Sequence, residues 1–130
     1  MRVILIDYAR KYYTKALPDK FSGKFVQLKK GSSEYLIFSP GESDRYHADI
    51  IRRFCAEREI AGAYDNANKH FSIHEPSWSV VGGGKFEIDR DTKDLRLYDN
   101  SMAYGKFDAR GLKEKIFSLE TFSGYTIRIE

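Results

Sequence analysis

Cysteine is almost missing from this chain of 130 residues, where Cys55 stands alone. An internal disulfide is therefore excluded, and so is a zinc clip built from cysteine pairs. Long apolar runs are missing too. Val3-Ile4-Leu5-Ile6 ends at Asp7, far short of the roughly 20 residues of a membrane span and of a signal-peptide core. Neither sign of charge prevails, because 22 Lys and Arg against 19 Asp and Glu leave a formal net charge of +3. The basic residues are scattered, whereas a footprint on a nucleic acid gathers them into a stripe. Internal repeats, low-complexity tracts and dividing linkers are absent as well. From these absences we expect a soluble, unprocessed, cytoplasmic protein with neither a nucleic-acid nor a membrane partner; a monomer is expected as well, though no residue pattern argues for it.

What is present suits one domain. A hydrophobic fraction of 42%, with 15% aromatic residues, is enough for a proper core at this length and too little chain for two ordinary domains. Val3 to Ile6 reads as a short buried strand, and Arg10 to Lys20 as loop, with Pro18 and Gly23 as breakers. Lys24-Phe25-Val26-Gln27-Leu28-Lys29 and Glu34-Tyr35-Leu36-Ile37-Phe38 flank Gly31-Ser32-Ser33 and predict a hairpin. Ser43 or Asp44 is expected to cap a helix running to about Glu59, since Tyr46, Ile50, Ile51, Phe54 and Cys55 recur at helical spacing.

Further on, Phe71 and Ile73 alternate with His70, Ser72 and His74, while Trp78 to Val81, Lys85 to Ile88 and Leu95 to Tyr98 read as separate strands. Arg90 to Lys93 turns the chain between the last two. Asp108 is expected to cap a second helix from Ala109 to about Leu119 that buries Leu112 and Ile116, and Tyr125 to Ile129 closes as a strand. The expected fold is a single α/β (α+β) domain over residues 1–130, with a mixed sheet of six or seven strands and two α-helices.

Several residues invite chemistry. His47 precedes Ile50 and Ile51 by three and four positions, so it begins the stripe that faces the core. The first turn of a helix disfavours a protonated imidazole and attracts anions. A packing histidine is the commoner use of such a residue, and helix geometry alone leaves both roles open. Gly82-Gly83-Gly84-Lys85 permits close backbone approach but lacks P-loop spacing, and a bulge or sharp turn explains it equally well. Asp99-Asn100-Ser101-Met102-Ala103-Tyr104-Gly105 follows a strand and suits either an anion-binding nest of N–H groups or a plain tight loop. His70 and His74 alternate with apolar residues and lack a third ligand, so no metal site is expected. Cys55 reads as a core thiol, and no CxxxxxR phosphatase loop occurs.

Taken together and in order, Tyr46-His47-Ala48-Asp49-Ile50, Gly82-Gly83-Gly84-Lys85, Tyr98 and Ser101-Met102-Ala103-Tyr104-Gly105 resemble the Janus/Ocnus family, which includes protein phosphohistidine phosphatases. The resemblance runs from about Lys24 to Gly105. It implies a hydrolase that cleaves the P–N bond of phosphohistidine without a metal or other cofactor, with phospholysine as a further candidate substrate. His47 would be its central catalytic group, as general base or nucleophile. Lys24, Ser101, Met102 and Ala103 would bind the phosphoryl group, joined by Gly82, Gly83, Gly84 and Lys85. Lys85 stands where well-known animal members carry arginine, a further arginine ahead of the YHAD motif has no match, and the cysteine cluster of those proteins is missing between Ala61 and Pro76. The expected partner is a phosphohistidine-bearing protein, with inorganic phosphate as product. Two rivals belong to other classes: a phosphohistidine- or phosphate-binding module without turnover, and a single-strand nucleic-acid binder that stacks bases on its aromatic residues.

Overall fold

Alternation along the chain sorts its side chains onto the two faces of a sheet. The computed structural model describes residues 2–41 and 43–130. In chain order the elements are β1 (Arg2–Asp7), a helical turn α1 (Ala9–Tyr12), β2 (Lys20–Lys30), β3 (Ser33–Pro40), α2 (His47–Glu57), β4 (Gly62–Tyr64), β5 (Phe71–Ile73), β6 (Trp78–Asp89), β7 (Asp94–Tyr98), α3 (Leu112–Phe117), a 3₁₀ turn at Glu120–Phe122 and β8 (Thr126–Ile129). Six strands form one mixed sheet in the order β1-β3-β2-β6-β7-β8, and β4 pairs with β5 in a small second sheet. The edge pairs β1–β3 and β7–β8 are parallel, and the three central pairs are antiparallel. This is an α+β architecture.

Each face of the sheet carries its own core. Val26, Leu28 and Ile37 meet Ala48, Ile50, Ile51, Phe54 and Cys55 of α2 on one side. On the other, Phe25, Leu36, Phe38, Phe86, Leu95 and Leu97 meet Leu112 and Ile116 of α3 together with Phe122. Burying one such aliphatic or aromatic side chain is worth about 1.5–3 kcal/mol, so α2 is held by packing more than by propensity. No described helix is long and apolar enough to cross a membrane.

Several sequence expectations need correction. The stretch from Arg10 to Lys20 is not all loop, since α1 ends within it and β2 begins at Lys20. Gly23, read as a breaker, lies inside β2, where a Cβ would collide with the Ser39 carbonyl. The two strands expected on either side of the glycines are one continuous strand, β6. Val3 to Ile6 is only half-buried, as befits an edge strand.

Neither Ser43 nor Asp44 caps α2. Tyr46 is the capping residue, and Asp49 accepts its backbone N–H through Oδ2 at 3.1 Å, one half of a capping box. Asp44 is engaged instead by the Ser39 hydroxyl and by Arg53. Asp108 likewise caps nothing. Its carboxylate is held by Arg110 at 3.0 Å, its N–H donates to Gln27 Oε1 at 2.7 Å, and Gly111, with φ 67°, delays α3 to Leu112. The C-terminal helix is therefore shorter than periodicity predicts.

One polar cluster inside the structure had no signal in the sequence. Glu34 is 1% exposed, accepts from Gln27 Nε2 at 3.0 Å, and has its other oxygen 3.1 Å from Lys115 Nζ. It ties β3, β2 and α3 together.

Candidate functional site

His47 is the first residue of α2, and its ring packs against β6 at Gly83 and Gly84. The underlying glycine explains why this is possible. A Cβ on Gly83 would come within 2.8 Å of His47 Cδ2, so any larger residue would displace the ring. Gly82 and Gly84 are confined from elsewhere, the first by the Lys106 backbone and the second by the Tyr98 carbonyl and the Phe107 ring. None of the three glycines lines the adjoining cavity. They form the floor on which the site rests.

His47 Nε2 lies 2.9 Å from the Gly84 carbonyl oxygen. A carbonyl only accepts, so Nε2 carries the proton and Nδ1 holds the lone pair in the neutral ring. The residue is 8% exposed. Burial, foremost, pushes its pKa below the ordinary 6.5; the bond to Gly84 opposes the shift, Lys24 adds to it, Asp99 opposes and Lys85 adds. The remaining residues of the YHAD motif position the ring. Ala48 is fully buried under α2, and Asp49 holds the Tyr46 N–H with one oxygen while its other accepts the Tyr64 hydroxyl at 2.6 Å.

Lys24 and Lys85 are direct cross-strand partners in β2 and β6. Like charges placed so are unfavourable. Asp99 relieves one of them, with Oδ2 3.2 Å from Lys85 Nζ. Lys24 is half-buried and makes no ion pair among the described residues. Its ammonium is left for another anion.

The loop from Ser101 to Gly105 is pinned on both sides. Ser101 and Gly105 exchange backbone hydrogen bonds, and Gly105 O accepts the Gly83 N–H at 3.1 Å. Tyr104 Oη accepts the N–H of Phe71 at 2.7 Å and donates to its carbonyl at 2.8 Å, which ties the loop to β5. Two consequences correct the expected nest of three donors. The Ser101 N–H is already bonded to Gly105, and the Ser101 hydroxyl accepts from the Tyr104 N–H at 3.2 Å. Among the described residues only Met102 and Ala103 in this segment leave their N–H groups without a protein partner. The Met102 side chain itself is fully exposed.

Lys24, His47, Lys85, Ser101, Met102 and Ala103 converge on one cavity of about 640 Å³. Tyr46, Asp99 and Asn100, which flank the motif residues in sequence, complete its wall together with Asp65 and Lys69, which sequence reasoning missed, and with His70, for which only a metal site was considered. His70 packs on the Tyr104 ring at 4.6 Å between centroids. His70 immediately precedes β5, which is only three residues long. Among the described residues no group of three or more His, Cys, Asp or Glu is placed to hold a metal. Cys55 lies away from the cavity in the core, where burial pushes its thiol up to about 11.

Comparison with curated proteins returns no match. The Janus/Ocnus family model matches residues 23–126, a span that takes in the YHAD motif, the glycines of β6 and the Ser101–Gly105 loop. On that match, the chain belongs to the Janus/Ocnus family.

Proposed function

We propose that this protein is a phosphohistidine phosphatase that hydrolyses the P–N bond with its own side chains as the only catalysts. The observation that carries the reading is a buried, neutral histidine sharing a cavity with a lysine that has no ion pair, and with two N–H groups that have no protein partner, among the described residues. Such a combination suits an anion that carries a reactive centre.

In this reading the phosphoryl oxygens sit on the Lys24 ammonium and on the N–H groups of Met102 and Ala103, which offset negative charge as the bond breaks. His47 acts through Nδ1. It either removes a proton from the attacking water or attacks phosphorus directly, giving a phosphoenzyme that water discharges. The Gly84 carbonyl stabilises the imidazolium formed at the first step, because it already holds the Nε2 proton. The electron pair of the P–N bond leaves with nitrogen, and inorganic phosphate is released. Quenching in an alkaline denaturant during turnover, which preserves the acid-labile P–N bond, separates the two roles, since only the nucleophilic route leaves labelled phosphate on His47.

A module that binds the phosphoryl group without turnover is the second reading. What speaks for it is the ion pair between Asp99 and Lys85, which withdraws one cation from the site. Wild-type turnover of a phosphohistidine peptide distinguishes them, and the kinetics of Lys24→Gln on that peptide test the site. Loss of a charge-assisted contact is expected to lower kcat/KM by roughly 10- to 100-fold; an undiminished rate would remove Lys24 from the site.

A further inference from the structure

Asp99 is out of place in a cavity that serves only to hold an anion. It follows β7 with φ 65°, its Oδ1 accepts the Asn100 N–H at 2.9 Å, and its Oδ2 lies against Lys85. It lines the same cavity as Lys24 and His47. By neutralising Lys85 it cancels half of the charge that the cross-strand lysines offer, and its own carboxylate repels a phosphoryl dianion. Asp65, also on the wall, is used otherwise, since its Oδ1 closes a turn by accepting the N–H groups of Lys69 and His70. Asp99 is the carboxylate placed beside the lysine pair.

A ligand that carries positive and negative charge on neighbouring atoms resolves the conflict. Its phosphoryl group takes over Lys85, and its cation takes over Asp99, so each protein charge exchanges one partner for another. We infer that Asp99 is a specificity-determining residue that recognises the cationic nitrogen side of a phosphoramidate, so that the cavity selects a zwitterion over a phosphate ester. The inference rests on the phosphoryl reading of the cavity. It deepens that reading by assigning the leaving-group side.

The chemistry balances without a proton donor from the protein. In a phosphoimidazole whose second ring nitrogen is protonated, the P–N electron pair returns to the ring and leaves a neutral imidazole. Water adds its oxygen to phosphorus and its two protons remain with the product, so a ring of charge +1 bearing a phosphoryl group of −2 becomes neutral imidazole and dihydrogen phosphate. A carboxylate beside the ring favours the protonated ground state that this route requires.

The test is a binding comparison that needs no turnover. Aminomethylphosphonate, a stable zwitterion, and methylphosphonate, which lacks the cation, are titrated calorimetrically into wild type and Asp99→Asn at a pH where both phosphonates are dianions and the amine is still protonated. Asparagine tolerates the left-handed backbone as aspartate does, so the turn is kept. The affinity ratio favouring aminomethylphosphonate is expected to fall about fivefold in Asp99→Asn, the scale of a partly exposed charge contact. An unchanged ratio, with both ligands shifting together, would overturn the inference and leave Asp99 as a mere holder of Lys85. Failure of wild type to bind either phosphonate would overturn the phosphoryl reading along with it. A charge-dependent ratio in a protein that hydrolyses nothing would support the inference while removing the catalytic one.

Discussion

At His47 the same contacts fix the ring and define its chemistry. The Gly84 carbonyl selects the tautomer, burial keeps the ring neutral, and Gly83 supplies the space it occupies. Gly83→Ala should therefore strain the site directly. A methyl group 2.8 Å from Cδ2 cannot coexist with the present ring position, and overpacking of this kind costs about 1–3 kcal/mol. Thermal denaturation and the His47 ring signals in NMR would report it; a variant of wild-type stability with an unmoved ring would show that the contact is soft. Some of this was legible in the residues. The helical spacing put His47 at the rim of the core stripe, and three consecutive glycines signalled close approach. The tautomer was not legible, because its partner is 37 positions away in sequence. That the side chains of Asp99 and His70 share the cavity with His47 was not legible for a similar reason: only the folded loops bring them to its wall.

Among the elements, α2, β6 and the Ser101–Gly105 loop carry the site, and the loop depends on a cross-link. Tyr104 Oη makes both of its hydrogen bonds to the Phe71 backbone. Tyr104→Phe should cost about 1–3 kcal/mol, since it leaves two backbone groups unpaired, and should speed hydrogen exchange in β4 and β5 while leaving β2 and β3 protected. Uniform exchange across the chain would mean that the small hairpin does not depend on this link. The β2–β3 hairpin and α2 could be read from sequence because their side chains follow periods of 2 and 3.6 cleanly. β6 could not be read as one strand. Gly82 to Gly84 look like a break locally, and only the close packing of His47, Lys106 and Phe107 shows why glycine stands there. The misread caps have a related cause. Asp44 and Asp108 have the right side chains for capping, but Arg53 and Arg110 engage them first.

For the whole molecule, the position of His47 at the junction of a helix and the sheet links stability to pH. Its pKa is lowered on folding from an ordinary 6.5, so as pH falls the unfolded chain takes up this proton first. Between the two values the unfolded state carries more protons, and stability declines with falling pH. The contribution of His47 is whole above 6.5 and is lost as the pH drops through the folded value. Melting temperatures from neutrality down to about pH 5 should decline less steeply for His47→Gln than for wild type, with His70 and His74 common to both; parallel profiles would mean that His47 titrates alike in both states. The Janus/Ocnus membership and the convergence of Lys24, His47 and the Met102 and Ala103 N–H groups make hydrolysis of a phosphoramidate the central claim. It is tested most directly by measuring inorganic phosphate released from a phosphohistidine peptide, with excess chelator present, by wild type and by a correctly folded His47→Ala. Clear wild-type turnover that falls by about 100-fold or more in the variant is the expected result. Turnover that survives in His47→Ala, or a wild type that releases nothing, would contradict it.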